Sequence, residues 1–160
     1  MEADTGSLQI GCIVDACLPV ARLLCRADKE NNMATFDYTV TSDKSVKQAT
    51  ADVEAASAAN GFRVLHTHDV AATLAEKGFQ REPLRIVEVC NAKYASQVLQ
   101  KDVKTALMLP CPICVYSSRG QTYISTMLPT VMTQFYPSAN LEPIATEVEL
   151  AVCRIVDNAR

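Results

Sequence analysis

From Thr35 onward the apolar residues switch repeatedly between a spacing of two and a spacing of three or four, and few architectures satisfy that switching. In TFDYTVTSD, Phe36, Tyr38 and Val40 alternate with Asp37 and Thr39, the signature of a strand with one buried face. Ser42 or Asp43 then suits a helix cap, and Val46, Ala49, Val53 and Ala56 follow at helical spacing until Asn60-Gly61 stops the run. Residues 62–68 return to period two. A regular strand there puts Phe62, Val64, His66 and His68 on one face and Arg63, Leu65 and Thr67 on the other. Asp69 is placed to cap a short helix through Val70 and Leu74 that ends at Lys77-Gly78.

The second half repeats the alternation. LRIVEV, residues 84–89, has the length and branching of a largely buried strand, and it delivers Cys90 and Asn91 to its carboxyl end. Tyr94, Ala95, Val98 and Leu99 then mark a short amphipathic helix over residues 92–100, and residues 101–108 read as weakly structured. Ser117-Ser118-Arg119-Gly120 joins two strand-like runs, residues 112–116 and 122–127, as a hairpin, and Pro129 ends the second. A last helix over residues 143–157 sets Ile144, Val148, Val152 and Ile155 on one face, with Glu147 and Arg154 away from it. The order β-α-β-α-β-α-β-β-α predicts a single α+β domain with a mostly antiparallel sheet and helices packed on one face. No phosphate loop, dinucleotide fingerprint, repeat or low-complexity tract is present.

A chain of 160 residues, 49% of them hydrophobic, buries one core without disulfide or metal staples. The net charge of -3, the lack of any long Lys/Arg run, and an aromatic fraction of 6% without Trp argue against a nucleic-acid partner. Leu8 to Leu24 is apolar, yet Asp15 and Arg22 interrupt it and no basic residue precedes it, so stable membrane insertion is not expected. Residues 1–32 read as an extension outside the fold, with the domain spanning 33–160 and starting in effect at Met33. Without that extension the basic and acidic counts are 12 and 13, from 15 less three and 18 less five.

The seven cysteines form an odd, irregularly spaced set, Cys12, Cys17, Cys25, Cys90, Cys111, Cys114 and Cys153, which suits a reducing cytoplasm better than a secreted disulfide framework. LPCPICVY, residues 109–116, contains a CxxC, but Val115 and Tyr116 favour a strand where a redox dithiol wants a helix start. Strand geometry puts Cys111 and Cys114 on opposite faces, so Pro110 and Pro112 read as shaping a strand entry. Cys90 and Cys111 with His66 or His68 have the donor chemistry for Zn or Cu(I), though no second CxxC supplies a zinc-knuckle spacing. His68-Asp69 makes a polar corner in which Asp69 orients an imidazole or caps the next helix. Asn91 either caps the helix from Ala92 or offers its amide to a ligand. Lys77 reads as helix-end charge compensation, Tyr94 and Tyr123 as packing, and Met108, Met127 and Met132 as core or interface filler.

HDVAATLAEKG (68–78), VCNAKYASQVL (89–99) and LPCPICVY, in that order, resemble the bacterial and archaeal domain-of-unknown-function family numbered 302 (DUF302), over about residues 34–160. The resemblance implies an α+β domain similar to the TATA-binding-protein-like class, often a homodimer, without an established reaction. It places weight on His68, Asp69, Lys77, Cys90, Asn91, Leu109, Pro110, Cys111 and Pro129. The family pattern has Pro after its Cys-Asn pair where this chain has Ala92, a change that loosens the turn into the helix, and Cys114 lies outside the usual signature.

The expectation is therefore a small binding or accessory domain for a small molecule or protein partner. Its ligand-binding residues would be His68, Asp69, Cys90, Asn91 and Cys111, with no cofactor and no reaction assigned. The alternative is a thiol-dependent redox or metal-handling protein using Cys90 and Cys111.

Overall fold

Strands β1 (Asp37–Ser42), β2 (Arg63–Asp69), β3 (Leu84–Cys90), β4 (Cys111–Ser118) and β5 (Gln121–Met127) join in one sheet of order β1-β5-β4-β3-β2, each neighbouring pair antiparallel. The computed structural model describes residues 35–160, so the extension at residues 1–32 and the start at Met33 lie outside the described residues. Helices α1 (Val46–Ala59), α2 (Val70–Ala75), α3 (Ala92–Lys101), α4 (Met132–Phe135) and α5 (Glu142–Ala159) complete the fold, with short 3-10 turns at Val103–Met108, Pro129–Val131 and Pro137–Ala139. The run 101–108 is thus more ordered than its sequence suggests, because Asp102 caps its turn by accepting from the Lys104 amide at 2.8 Å. Among the described residues no helix is long and apolar enough to cross a membrane.

The alternation along the strands decides the layering. Val40, Ile124, Val115, Ile113, Val87 and Val89 point to one face and are buried there against Ala49 and Val53 of α1 and Val148, Val152, Ile155 and Val156 of α5. Each fully buried Val or Ile contributes roughly 1.5–3 kcal/mol by leaving water, so this single layer dominates the stability. The helices pack on that face, as the patterning of α5 required.

Two local details depart from simple alternation. The cap of α1 is Ser45, not Ser42 or Asp43: its Oγ accepts from the Gln48 amide at 3.3 Å while the Gln48 side chain accepts from the Ser45 amide at 3.2 Å. Ser-x-x-Gln satisfies two helix-start donors at once, which neither earlier polar residue achieves. In β2 the register shifts between Val64 and His66, leaving Leu65 as an extra residue, 52% exposed. Val64 consequently faces the core and Thr67 donates to Glu54 of α1 at 2.7 Å. His66 and His68 still share a face, with ring centroids 4.4 Å apart, but Val64 does not share it with them. The bulge is the reason for that difference.

The β4–β5 hairpin closes through Arg119 and Gly120, both at positive φ (52° and 80°), the mirror-image turn that matches strand twist. The Leu109–Pro110 peptide bond that precedes β4 is cis.

Candidate functional site

At the carboxyl end of β3 the chain makes a tight corner. Asn91 caps α3: its Oδ1 accepts from the Lys93 amide at 3.0 Å and the Tyr94 amide at 3.3 Å, and its Nδ2 donates to the Gly61 carbonyl at 2.9 Å. Gly61 sits at φ 76°, where an added Cβ would meet Asn91 only at 3.8 Å. Glycine is needed there for its left-handed backbone, not for space. The helix starts at Ala92 without the proline of the family pattern, held by the Asn91 side chain. Asn91→Ala is expected to lower unfolding stability by about 1–2 kcal/mol, since a lost N-cap alone costs roughly 0.5–2 kcal/mol and the Gly61 bond is lost with it. A shift of the urea midpoint with an unchanged slope would verify this; an unshifted midpoint would refute it.

Beside that corner lies a cleft lined by Cys90, Asn91 and Cys111 together with Phe62, Tyr94, Ala95, Val98, Met108, Met132, Ile144 and Val148. It is narrow: about 40 Å³ of it admits the centres of water molecules. Its far wall is a second packed cluster of Val98, Met132, Leu141 and Ala145. Burial pushes the Cys111 thiol up to about 11, with the neighbouring Cys90 adding to the rise, and burial also raises Cys90. Both thiols are therefore neutral near pH 7. With the Asn91 amide committed to the backbone, the walls offer apolar contact and little else.

His68 and Asp69 lie elsewhere. Asp69 pairs with Arg85 near the start of β3, whereas Cys90, five residues on, is at its end. At about 3.4 Å per residue that is a separation of about 17 Å along the strand. The Asp69 carboxylate accepts from the Ala72 amide at 3.0 Å, capping α2, and from Arg85 Nη2 at 3.2 Å. His68 Nε2 lies 3.1 Å from Glu88 Oε1 on the open face of the sheet. The structure thus brings Cys90, Asn91 and Cys111 together and leaves His68 and Asp69 out of that group. Lys77 follows the exposed end of α2 and meets no part of the cleft.

The CxxC divides as strand geometry requires. Cys111 pairs with Val89 and packs on the core, whereas Cys114 pairs with Ile86 on the other face, and no disulfide joins the described cysteines. Among the described residues no group of three or more His, Cys, Asp or Glu side chains is arranged to hold a metal ion. The sheet order explains the failure of the Cys-His gathering: it puts Arg63 opposite Cys90 and Glu88 opposite His66.

In the sequence the wall residues read as separate strand and helix faces or as filler, not as one cleft. Tyr94 and Val98 were visible as an apolar stripe on α3, but Met132 and Val148 reach the cleft only through tertiary packing.

The family model described as "Domain of unknown function DUF302" matches residues 38–159. A solved structure described as the uncharacterized conserved protein DUF302 from Bacillus stearothermophilus is 31% identical, with a TM-score of 0.75, and the match covers 79% of this chain and 100% of that one. No curated protein matches the chain significantly.

Proposed function

Because this chain belongs to the DUF302 family, whose description assigns no reaction, we propose its function from the cleft: a binding domain that takes a slim apolar group between α3, α5 and the end of the sheet. The observation that carries this reading is the pairing of a narrow apolar slot with an Asn91 amide that is already spent. Small-molecule pockets are mostly apolar, with few polar groups to fix a guest. Methionines 108 and 132 line the slot and are the side chains best able to repack around a guest.

The test is a titration of hexanol and, separately, indole into the labelled protein, followed by backbone amide shifts. Saturable shifts centred on Val98 and Ala145 are expected. Ala95→Phe, which fills the slot from α3, should abolish them while the protein still melts cooperatively. Shifts scattered over exposed apolar residues such as Leu107 and Phe135, or shifts that survive Ala95→Phe, would sink the reading.

A thiol-dependent redox role for Cys90 and Cys111 has less support, because raised thiol pKa values keep both in the unreactive form. That Cys90, Cys111 and Cys114 carry thiols and no disulfide is compatible with a reducing, cytoplasmic setting. The open sheet face, with Ile86, Tyr116 and Tyr123, supports association of two copies, and sedimentation at twice the chain mass is the corresponding readout. The one-sided antiparallel sheet is compatible with the TATA-binding-protein-like class, and superposition on a solved member tests that placement.

A further inference from the structure

A second cavity lies at the opposite end of β3, between the start of α1, the β2–α2 corner and the segment that leads into β3. About 330 Å³ of it admits the centres of water molecules, so it is roomier than the first cleft. Three cations line it, Lys47, Arg81 and Arg85, against the single carboxylate of Asp69. The local balance is +2 in a chain whose net charge is -3, so the overall charge does not explain the cluster.

The arrangement is directional. Arg85 rises from the helix-facing side of β3, opposite Val115, and its Nη2 is held by Asp69 Oδ2 at 3.2 Å. The other oxygen of Asp69 accepts from the Ala72 amide, so the carboxylate is engaged on both sides and the guanidinium is fixed in place. Arg81, which lines the cavity, donates its Nε to the Glu82 carbonyl at 3.1 Å. The Glu82 carboxylate is turned away, accepting from the Arg119 amide at 3.3 Å. Neither Lys47 nor Arg81 has an ion-pair partner among the described residues, and the first turn of α1 contains no acidic residue.

We propose that this cavity binds a phosphomonoester, the dianionic phosphate group meeting Arg85, Arg81 and Lys47. Two guanidinium forks supply charge-assisted hydrogen bonds to several phosphate oxygens, and the lysine adds a point charge. A dianion matches the +2 balance, whereas a monocarboxylate leaves one cation unmatched. Asp69 is a positioning residue here, acting through Arg85. Asp69 thus lines a different cavity from Cys90 and Cys111.

The experiment titrates the full chain with glycerol 3-phosphate and with inorganic phosphate by calorimetry, against potassium chloride at matched ionic strength. A second arm uses phosphatidylcholine vesicles with and without phosphatidic acid, which carries the same phosphomonoester on a lipid. Saturable binding to the soluble phosphates, or to the phosphatidic acid vesicles alone, supports the site and tells the two sources apart. In either case Lys47→Glu/Arg81→Glu must weaken it at least tenfold. Both positions are exposed, and an acid near the start of α1 favours the helix, so the variant is expected to fold. Arg85→Gln should give a similar loss. Heats no greater than those of chloride in the first arm together with no vesicle difference, or binding retained in the charge-reversal variant, would overturn the proposal. Hexanol and indole binding at the first cleft should be untouched by Lys47→Glu/Arg81→Glu, so the two sites fail independently.

Discussion

Ile155→Ala is expected to lower the unfolding free energy by about 2–5 kcal/mol, the range for deleting a buried Ile side chain down to Cβ. Ile155 is fully buried on α5, in the layer where α5 meets α1 and the sheet. Its neighbours are Val, Ala and Ile side chains already in contact with one another, so collapse into the vacated space is limited and a cavity remains. A small domain has only about 5–15 kcal/mol in total, so the variant sits close to its unfolding threshold at growth temperature. Urea unfolding with an unchanged slope and a much lower midpoint would bear this out. A loss below about 1 kcal/mol would mean that α5 can slide to fill the gap, and that the core is looser than its burial implies.

The Cys111 thiol should be about a hundredfold less reactive than an unfolded-chain thiol near pH 8. Its pKa is held at about 11 against an ordinary 9.0, mainly by burial and secondarily by Cys90, and only the thiolate attacks an alkylating reagent. Iodoacetamide labelling mapped peptide by peptide should show the Cys111 rate rising tenfold per pH unit, without levelling, across pH 7 to 10. The same shift has a thermodynamic face. The folded pKa lies above the unfolded one, so the folded state holds the proton more tightly. That stabilisation is complete below pH 9 and is lost as pH rises toward 11. Its full size is about 3 kcal/mol, from a rise of two at about 1.4 kcal/mol each. Cys111→Ala should therefore flatten the alkaline limb of the stability profile. If Cys111 is alkylated at pH 8 as fast as a peptide thiol, the thiol is not buried as described, and the apolar reading of the cleft goes with it.

Much of the architecture was legible because a one-sided sheet prints period two on its strands and a one-sided helix prints a period near 3.6. Val46, Ala49 and Val53 placed α1, and the opposite faces of Cys111 and Cys114 followed from a spacing of three. The misses have physical reasons. Ser42, Asp43 and Ser45 are all good caps by type, and what selects Ser45 is a reciprocal bond from Gln48 that single-residue preference does not weigh. The bulge at Leu65 is invisible in RVLHTHD, since it is imposed by Val64 packing on the core and Thr67 reaching Glu54. The turns between Pro129 and Ala139 are shorter than the period needed to recognise them. The candidate site was half legible. Cys90, Asn91 and Cys111 adjoin because β3 and β4 are neighbours, but the same topology sends Asp69 to the other end of β3, where Arg85 waits for it.

The order of strands also bears on how the chain can be made. β1 has a single neighbour in the sheet, β5, and the pair Val40 and Ile124 joins positions 84 apart, from 124 less 40. The β4–β5 hairpin, by contrast, forms from adjacent residues. Contacts so distant along the chain close late and slow the search for the native state. Of the described elements, β1 and α1 are translated before β3, β4 and α5, on which α1 packs, so the apolar face of α1 stays open until those segments follow. In this topology β1, the first of the described strands to be translated, is among the last to be placed, because its one neighbour in the sheet, β5, is the last of them.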